Sequence, residues 1–256
     1  MFEKPGQSYV LWFTQRVGST LIAQSLEDTG VAGRPREWLN ASSVDEVMNR
    51  LGAETARELR NQLWRVGTTS NGVLGVKYGM VPKLHDELIR LMASIQPAKT
   101  SRGYDAWEGF FPNCNHCLLT RRDKVRLAVS WWRAIQSEEW HRPNRVDTCV
   151  GKVESNPSGS LIEKYDFHAI QHLVDECSAR EDAIHLQLDA WRIEPFTVVY
   201  EDLIADFETT VRSLLEFLRV PQARELAIPP PAFEALSDEI NDSWCERFAS
   251  DRRRLG

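Results

Sequence analysis

Arg16, Gly18, Ser19 and Thr20 crowd into a short polar turn that directly follows the apolar run Tyr9-Val10-Leu11-Trp12-Phe13. A helical pattern starts at once after it, with Leu21, Ile22, Ser25 and Leu26 on one face. The order strand, turn, helix gathers backbone N–H groups and a helix N-terminus around one point. Unpaired amides and the helix dipole both favour negative charge there, so the turn is suited to phosphate or sulfate. Arg16 adds a planar cation that can grip two anionic oxygens. A nucleotide-hydrolysing phosphate loop would read G-x-x-x-x-G-K-[ST]. Here Phe13 holds the first glycine position and no lysine separates Gly18 from Ser19, which argues against magnesium–ATP chemistry. The simpler alternative is a strand-to-helix corner capped by Ser19 or Thr20.

Other chemistry-bearing residues fall at the ends of apolar runs. Lys77 closes Val73-Leu74-Gly75-Val76, Arg121 and Arg122 follow Cys117-Leu118-Leu119-Thr120, and Glu201 with Asp202 follows Phe196-Thr197-Val198-Val199-Tyr200. Between these runs the spacing predicts helices: 21–29 closed by Gly30, a polar region over 43–64, Pro82 to Ile95, one starting near Asp123, 161–191, and Leu203 to Leu218. Residues 97–113 read as irregular, and 142–160 as a long flexible loop on the acceptor side. Asp202 reads as the N-cap of the last of these helices. Strands alternating with helices imply an α/β fold, three layers with a central parallel sheet between helices. In such sheets ligands gather at the carboxyl ends of the strands, where these polar residues fall.

The chain has 256 residues, enough for one domain spanning 1–256 with a substantial core. It lacks a long apolar run, so no transmembrane segment is expected, and Met1-Phe2-Glu3-Lys4-Pro5 does not read as a signal peptide. A cytoplasmic location follows as an expectation. A net charge of −6 argues against nucleic-acid binding, so an anionic ligand must be held by local cations. Cys114-Asn115-His116-Cys117 lacks a second ligand pair, and His168 with His172 lacks a third ligand, so no metal is expected.

Arg121 and Arg122 are followed, eight or nine residues on, by Ser130 in Ala128-Val129-Ser130-Trp131-Trp132. This pairing resembles the 3′-phosphate site of sulfotransferases that use 3′-phosphoadenosine 5′-phosphosulfate (PAPS). The whole chain is similar to the bacterial Stf0 family, whose type member sulfates trehalose. The likeness is carried by Thr14 to Leu21, by Gly30 to Trp38 with Pro35-Arg36-Glu37-Trp38 at its end, by Arg121 to Gln136, and by Val199-Tyr200-Glu201-Asp202-Leu203, with Trp244 to Phe248 also fitting. The family carries Pro where this chain has Gln15 and Ser where it has Val17.

The resemblance implies a P-loop-like sulfotransferase fold and a role for each residue. The loop Gln15, Arg16, Val17, Gly18, Ser19 and Thr20 would bind the 5′-phosphosulfate, and Arg121 with Ser130 the 3′-phosphate. Arg122 has the spacing seen in other sulfotransferases, whereas aligning Asp123 favours Arg121. Glu37 would be the base that activates the acceptor hydroxyl, its carboxyl tuned by partial burial beside Trp38. Lys77 would neutralise developing charge, and Trp38 would stack on a sugar ring. The acceptor would be a carbohydrate or glycolipid, no metal would be needed, and the chain would pair as a homodimer. Two other readings fit the same residues: a catalytically silent nucleotide-binding module, given Gln15 and Val17, and a small-molecule kinase with an unusual phosphate loop.

Overall fold

The structure, a computed structural model, describes residues 4–95, 103–140, 161–220, 223–231 and 239–255. The loop expected over 142–160 lies outside the described residues. Four strands form one sheet: β1 (Gln7–Phe13), β2 (Val73–Tyr78), β3 (Cys114–Thr120) and β4 (Phe196–Val199). Their order is β2-β1-β3-β4, with every neighbouring pair parallel. Ten α-helices are described among these residues: α1 (Ser19–Asp28), α2 (Val44–Leu51), α3 (Ala56–Gly67), α4 (Pro82–Ala93), α5 (Tyr104–Phe110), α6 (Lys124–Ser137), α7 (Phe167–Trp191), α8 (Tyr200–Ala205), α9 (Phe207–Phe217) and α10 (Glu239–Leu255).

The strands alternate sides as their period of two requires. Tyr9, Leu11 and Phe13 of β1 join Cys117 and Leu119 in a core built with α1, α6, α9 and α10. Val10 and Trp12 point the other way, into a core with Leu74, Val76, Tyr78 and the helices α3, α4 and α5. The three-layer α/β/α architecture with a parallel sheet is therefore the one expected.

α7 has an unusual course. Its first half packs Ile170, Leu173 and Cys177 into the first core, and its second half packs Ile184, Leu188 and Trp191 into the second. The change of core falls at Arg180 and Glu181, which meet the carboxyl ends of β1 and β3: Arg180 donates to Gln15, and Thr120 Oγ1 donates to Glu181 Oε1 at 2.9 Å.

Some elements differ from expectation. The stretch read as irregular contains α5, whose Ala106, Trp107 and Phe110 are fully buried. The helix expected from Leu203 to Leu218 is broken at Asp206, which leaves helical geometry and caps α9 by accepting from Thr209 N. Asp202 is consequently not the cap. It sits in the first turn of α8 and takes a two-pronged pair from Arg122.

Two glycines govern how Arg34 to Trp38 lies against the sheet. A Cβ on Gly33 would meet Gly75 N at 2.5 Å, and one on Gly75 would meet the Tyr9 hydroxyl at 2.6 Å. With neither present, Arg36 forms a parallel bridge to Val76 and accepts from Lys77 N at 3.1 Å.

Candidate active site

The turn between β1 and α1 has positive φ at Arg16 (62°) and Gly18 (75°). Such turns point successive N–H groups into a concavity that suits an anion. Gly18, rather than Ser19 or Thr20, is the N-cap of α1, and it supplies no side-chain capping bond. The first amides of α1 are thus not taken up by a cap of their own. Val17 is 2% exposed and packs into the first core, so it offers the loop only backbone.

Arg16 reaches across the turn to α6. Its Nε donates to Ser130 Oγ at 3.1 Å, and its Nη1 donates to the carbonyl of Trp140 at 2.6 Å. Arg121 closes the same space from the end of β3: Nη1 donates to the Arg16 carbonyl at 3.4 Å, and the guanidinium lies 4.4 Å from the Tyr200 ring. Burial holds both arginines below their ordinary pKa, each further lowered by neighbouring arginines. Arg133, one helical turn after Ser130 and itself buried, is among the cations acting on Arg16. Arg121 and Arg133 are buried and Arg16 is half-buried, and the carboxylates paired with the first two, Glu201 and Glu139, stand off at 3.6 Å, so the cluster is suited to an anion. The buried Thr14 Oγ1 has no hydrogen-bond partner, and Arg121 Nε faces Glu201 Oε1 at 3.6 Å, too far for a hydrogen bond, so the strand ends suit a polar ligand. Arg122 faces outward, 59% exposed in its pair with Asp202.

A second cluster forms at the end of β2. Lys77 Nζ lies 2.7 Å from Glu37 Oε1, donates to Thr20 Oγ1 at 3.1 Å, and sits 4.8 Å from the Phe13 ring. Asn40 donates to Glu37 Oε2 at 3.0 Å. Three residues singled out from sequence in separate segments, Thr20, Glu37 and Lys77, therefore meet at one point. The environment of Glu37 differs from expectation. Its side chain is 46% exposed and faces an ammonium, not an indole. Nor does it pair with Arg34 or Arg36: Arg36 is bound by Glu27, and Arg34 by the carbonyls of Val66 and Thr68.

Trp38 is half-buried. Its Nε1 donates to the Arg34 carbonyl at 3.0 Å, its ring packs against the second core, and the Arg36 guanidinium lies 5.9 Å from the ring. A cleft of about 100 Å³, partly open to solvent, adjoins Glu37 through Asn40 and is walled by Phe13, Gln15, Asn40, Met80, Leu84 and Arg180, among others. Gln15 lines this cleft and accepts from Arg180 Nη1 at 3.1 Å.

An arginine-lined turn suited to an anion, touched at Thr20 by a carboxylate–lysine pair, has parts that sulfuryl transfer can use. The Stf0 sulphotransferase family model matches residues 8–251, from β1 into α10. The chain belongs to the Stf0 sulphotransferase family. It is 30% identical over 277 residues to trehalose 2-sulfotransferase of Mycolicibacterium smegmatis, a match covering 97% of this chain and 97% of that protein. Trehalose 2-sulfotransferase of Mycobacterium tuberculosis is 27% identical over 276 residues, covering 97% and 96%. The crystal structure of a sulfotransferase from Alicyclobacillus acidocaldarius aligns over 97% of this chain and 94% of that one, with 12% identity and a TM-score of 0.48. This Stf0 member is thus a sulfotransferase. No helix among its described residues is long and apolar enough to cross a membrane.

Asn40, Arg133, Arg180 and Tyr200 were not singled out from sequence. The signal for Arg180 was present, since the apolar pattern of the helical region pauses between Cys177 and Ile184. Tyr200 stood inside the motif Val199 to Leu203 without a role of its own, and its ring meets both Arg121 and the space over Gly18.

Proposed function

We propose that this Stf0 sulfotransferase takes its sulfuryl group from PAPS and passes it in line to a hydroxyl of a carbohydrate or glycolipid. PAPS supplies an activated sulfuryl group on a good leaving phosphate, so no metal is required. Arg16 and the amides of Gly18, Ser19 and Thr20 hold the 5′-phosphosulfate, and Arg121 with Ser130 holds the 3′-phosphate. The Arg16–Ser130 bond ties the two positions into one clamp.

The observation that carries the reading is the Lys77–Glu37–Thr20 cluster beside the uncapped N-terminus of α1. In the transfer, Glu37 removes the proton of the acceptor hydroxyl. The acceptor oxygen bonds to sulfur as the bond from sulfur to the phosphate oxygen breaks, and 3′-phosphoadenosine 5′-phosphate (PAP) departs. Lys77 then turns its charge from Glu37 to the oxygens that gain it, as in phosphoryl transfer, where positioning and charge stabilisation dominate. Glu37 returns its proton to water. The names of the curated relatives support a sugar acceptor, trehalose being the first to try. The reading includes one catalytic domain working in the cytoplasm, and light scattering checks the homodimer that the resemblance implies.

Radiolabelled PAPS offered with trehalose, other neutral sugars and a glycolipid extract tests this. Label should pass to one acceptor without added magnesium. PAP binding with no transfer to any of them would favour the silent module, and consumption of ATP would favour a kinase.

A further inference from the structure

The geometry points to Arg180 as the residue that positions the acceptor, donating to a neutral oxygen of a polyhydroxylated ligand seated in the cleft beside Glu37. This rests on the sulfotransfer reading and extends it to a residue on α7 that no motif marks.

Arg180 is held from three sides. Its Nε donates to Glu176 Oε1 at 2.7 Å, its Nη1 donates to Gln15 Oε1 at 3.1 Å, and its guanidinium lies 5.4 Å from the Trp131 ring. A guanidinium fixed this way has lost its rotamer freedom before any ligand arrives, which lowers the cost of using its remaining donors. Its side chain is 32% exposed, and it lines the cleft that Asn40 also lines. Asn40 donates to Glu37 Oε2, so the wall that Asn40 forms adjoins the carboxylate, and Arg180 forms another part of the same wall. The charge of Arg180 is already balanced by Glu176, and that of Lys77 by Glu37. A hydroxyl or ring oxygen therefore suits Arg180 better than a phosphate or carboxylate. Phe13, Met80 and Leu84 give the cleft an apolar side on which the C–H face of a sugar ring can rest.

The test compares wild type with Arg180→Met, which keeps the stem over Trp131, and with Arg180→Lys. Donor binding is read by titrating PAP, and transfer by KM and kcat for neutral sugars (trehalose and glucose) and for glucose 6-phosphate. Arg180→Met should raise the KM for the best neutral sugar roughly ten- to hundred-fold, as loss of a charged donor implies, with the Kd for PAP within two-fold of wild type. Arg180→Lys should recover part of the loss. An unchanged KM in Arg180→Met, a matching fall in PAP affinity, a wild-type preference for the phosphorylated sugar, or no neutral sugar used would each overturn the inference. If wild type binds no PAP and moves no sulfate, the sulfotransfer reading fails as well. If it does both while Arg180→Met behaves as wild type, only this inference fails.

Discussion

Lys77 holds Glu37 at 2.7 Å across a gap between two segments that are far apart in the chain, and its ammonium also donates to Thr20 at the start of α1. In the proposed transfer the pair links the acceptor side of the site to the donor side. Lys77 is 5% exposed, so its charge is kept in place by these partners and the Phe13 ring.

Removing the carboxylate charge should separate binding from turnover. Glu37→Gln is expected to lower kcat by roughly two to four orders of magnitude and to leave PAP affinity close to wild type. Lys77→Met should also lower kcat strongly if its charge is used as proposed. Rapid-quench assays with labelled donor check both, and full turnover in Glu37→Gln would remove it from the mechanism.

The two adjacent arginines at the end of β3 should behave differently. Arg121→Met takes away a buried cation stacked on Tyr200 and should weaken PAP binding at least about thirty-fold. Arg122→Met removes an exposed pair with Asp202 and should leave the Kd within a factor of about two. Calorimetric titration of PAP into each variant makes the comparison.

Gly18→Ala tests the loop geometry. At φ +75° a side chain is strained, and its Cβ would come within 2.9 Å of the Tyr200 ring. The expected cost is roughly 1–3 kcal/mol of stability, together with weaker PAP binding as Tyr200 is pushed toward Arg121. Thermal unfolding with and without PAP reads both effects.

Acid sensitivity should come from the second core. Burial pushes the pKa of His85 and His116 down to about 4. Trp12 Nε1 donates to His116 Nδ1 at 2.9 Å, so His116 is a neutral acceptor at that nitrogen. In the unfolded chain both imidazoles titrate near the ordinary value of about 6.5. Their depressed folded pKa makes them stabilising above that value, and the stability is lost as pH falls from about 6.5 toward 4. The loss is on the order of 3 kcal/mol for each histidine. Unfolding curves across this range and imidazole NMR titrations check it, and histidines titrating near 6.5 in the folded protein would contradict it.

The strand–turn–helix at Arg16 was legible because its signals are local: an apolar run, small hydroxyl residues and a glycine that the backbone needs at positive φ. Glu37 and Lys77 were each legible as candidates, but their meeting was not, since it depends on Gly33 and Gly75 letting two segments pass. Asp202 and Asp206 both carry a capping side chain within one turn. Pattern cannot tell which one caps when the other has a partner, Arg122, lying far along the chain. Trp38 was legible as an aromatic face near Glu37, but its bond to the Arg34 carbonyl was not, since that depends on how the chain turns between them. Arg180 escaped notice because one polar pause inside a long helix is ordinary until the helix is seen to cross the sheet.

β2 is an outer strand of the sheet, and outer strands expose unpaired amides on which another molecule can stack. The stretch that delivers Glu37 lies along that border, through the bridge from Arg36 to Val76 and the bond from Lys77 N to the Arg36 carbonyl. A bulky replacement at Gly33 or Gly75 should lift this stretch away, disabling turnover and uncovering a sticky rim at once. Loss of catalysis in such variants should arrive together with self-association.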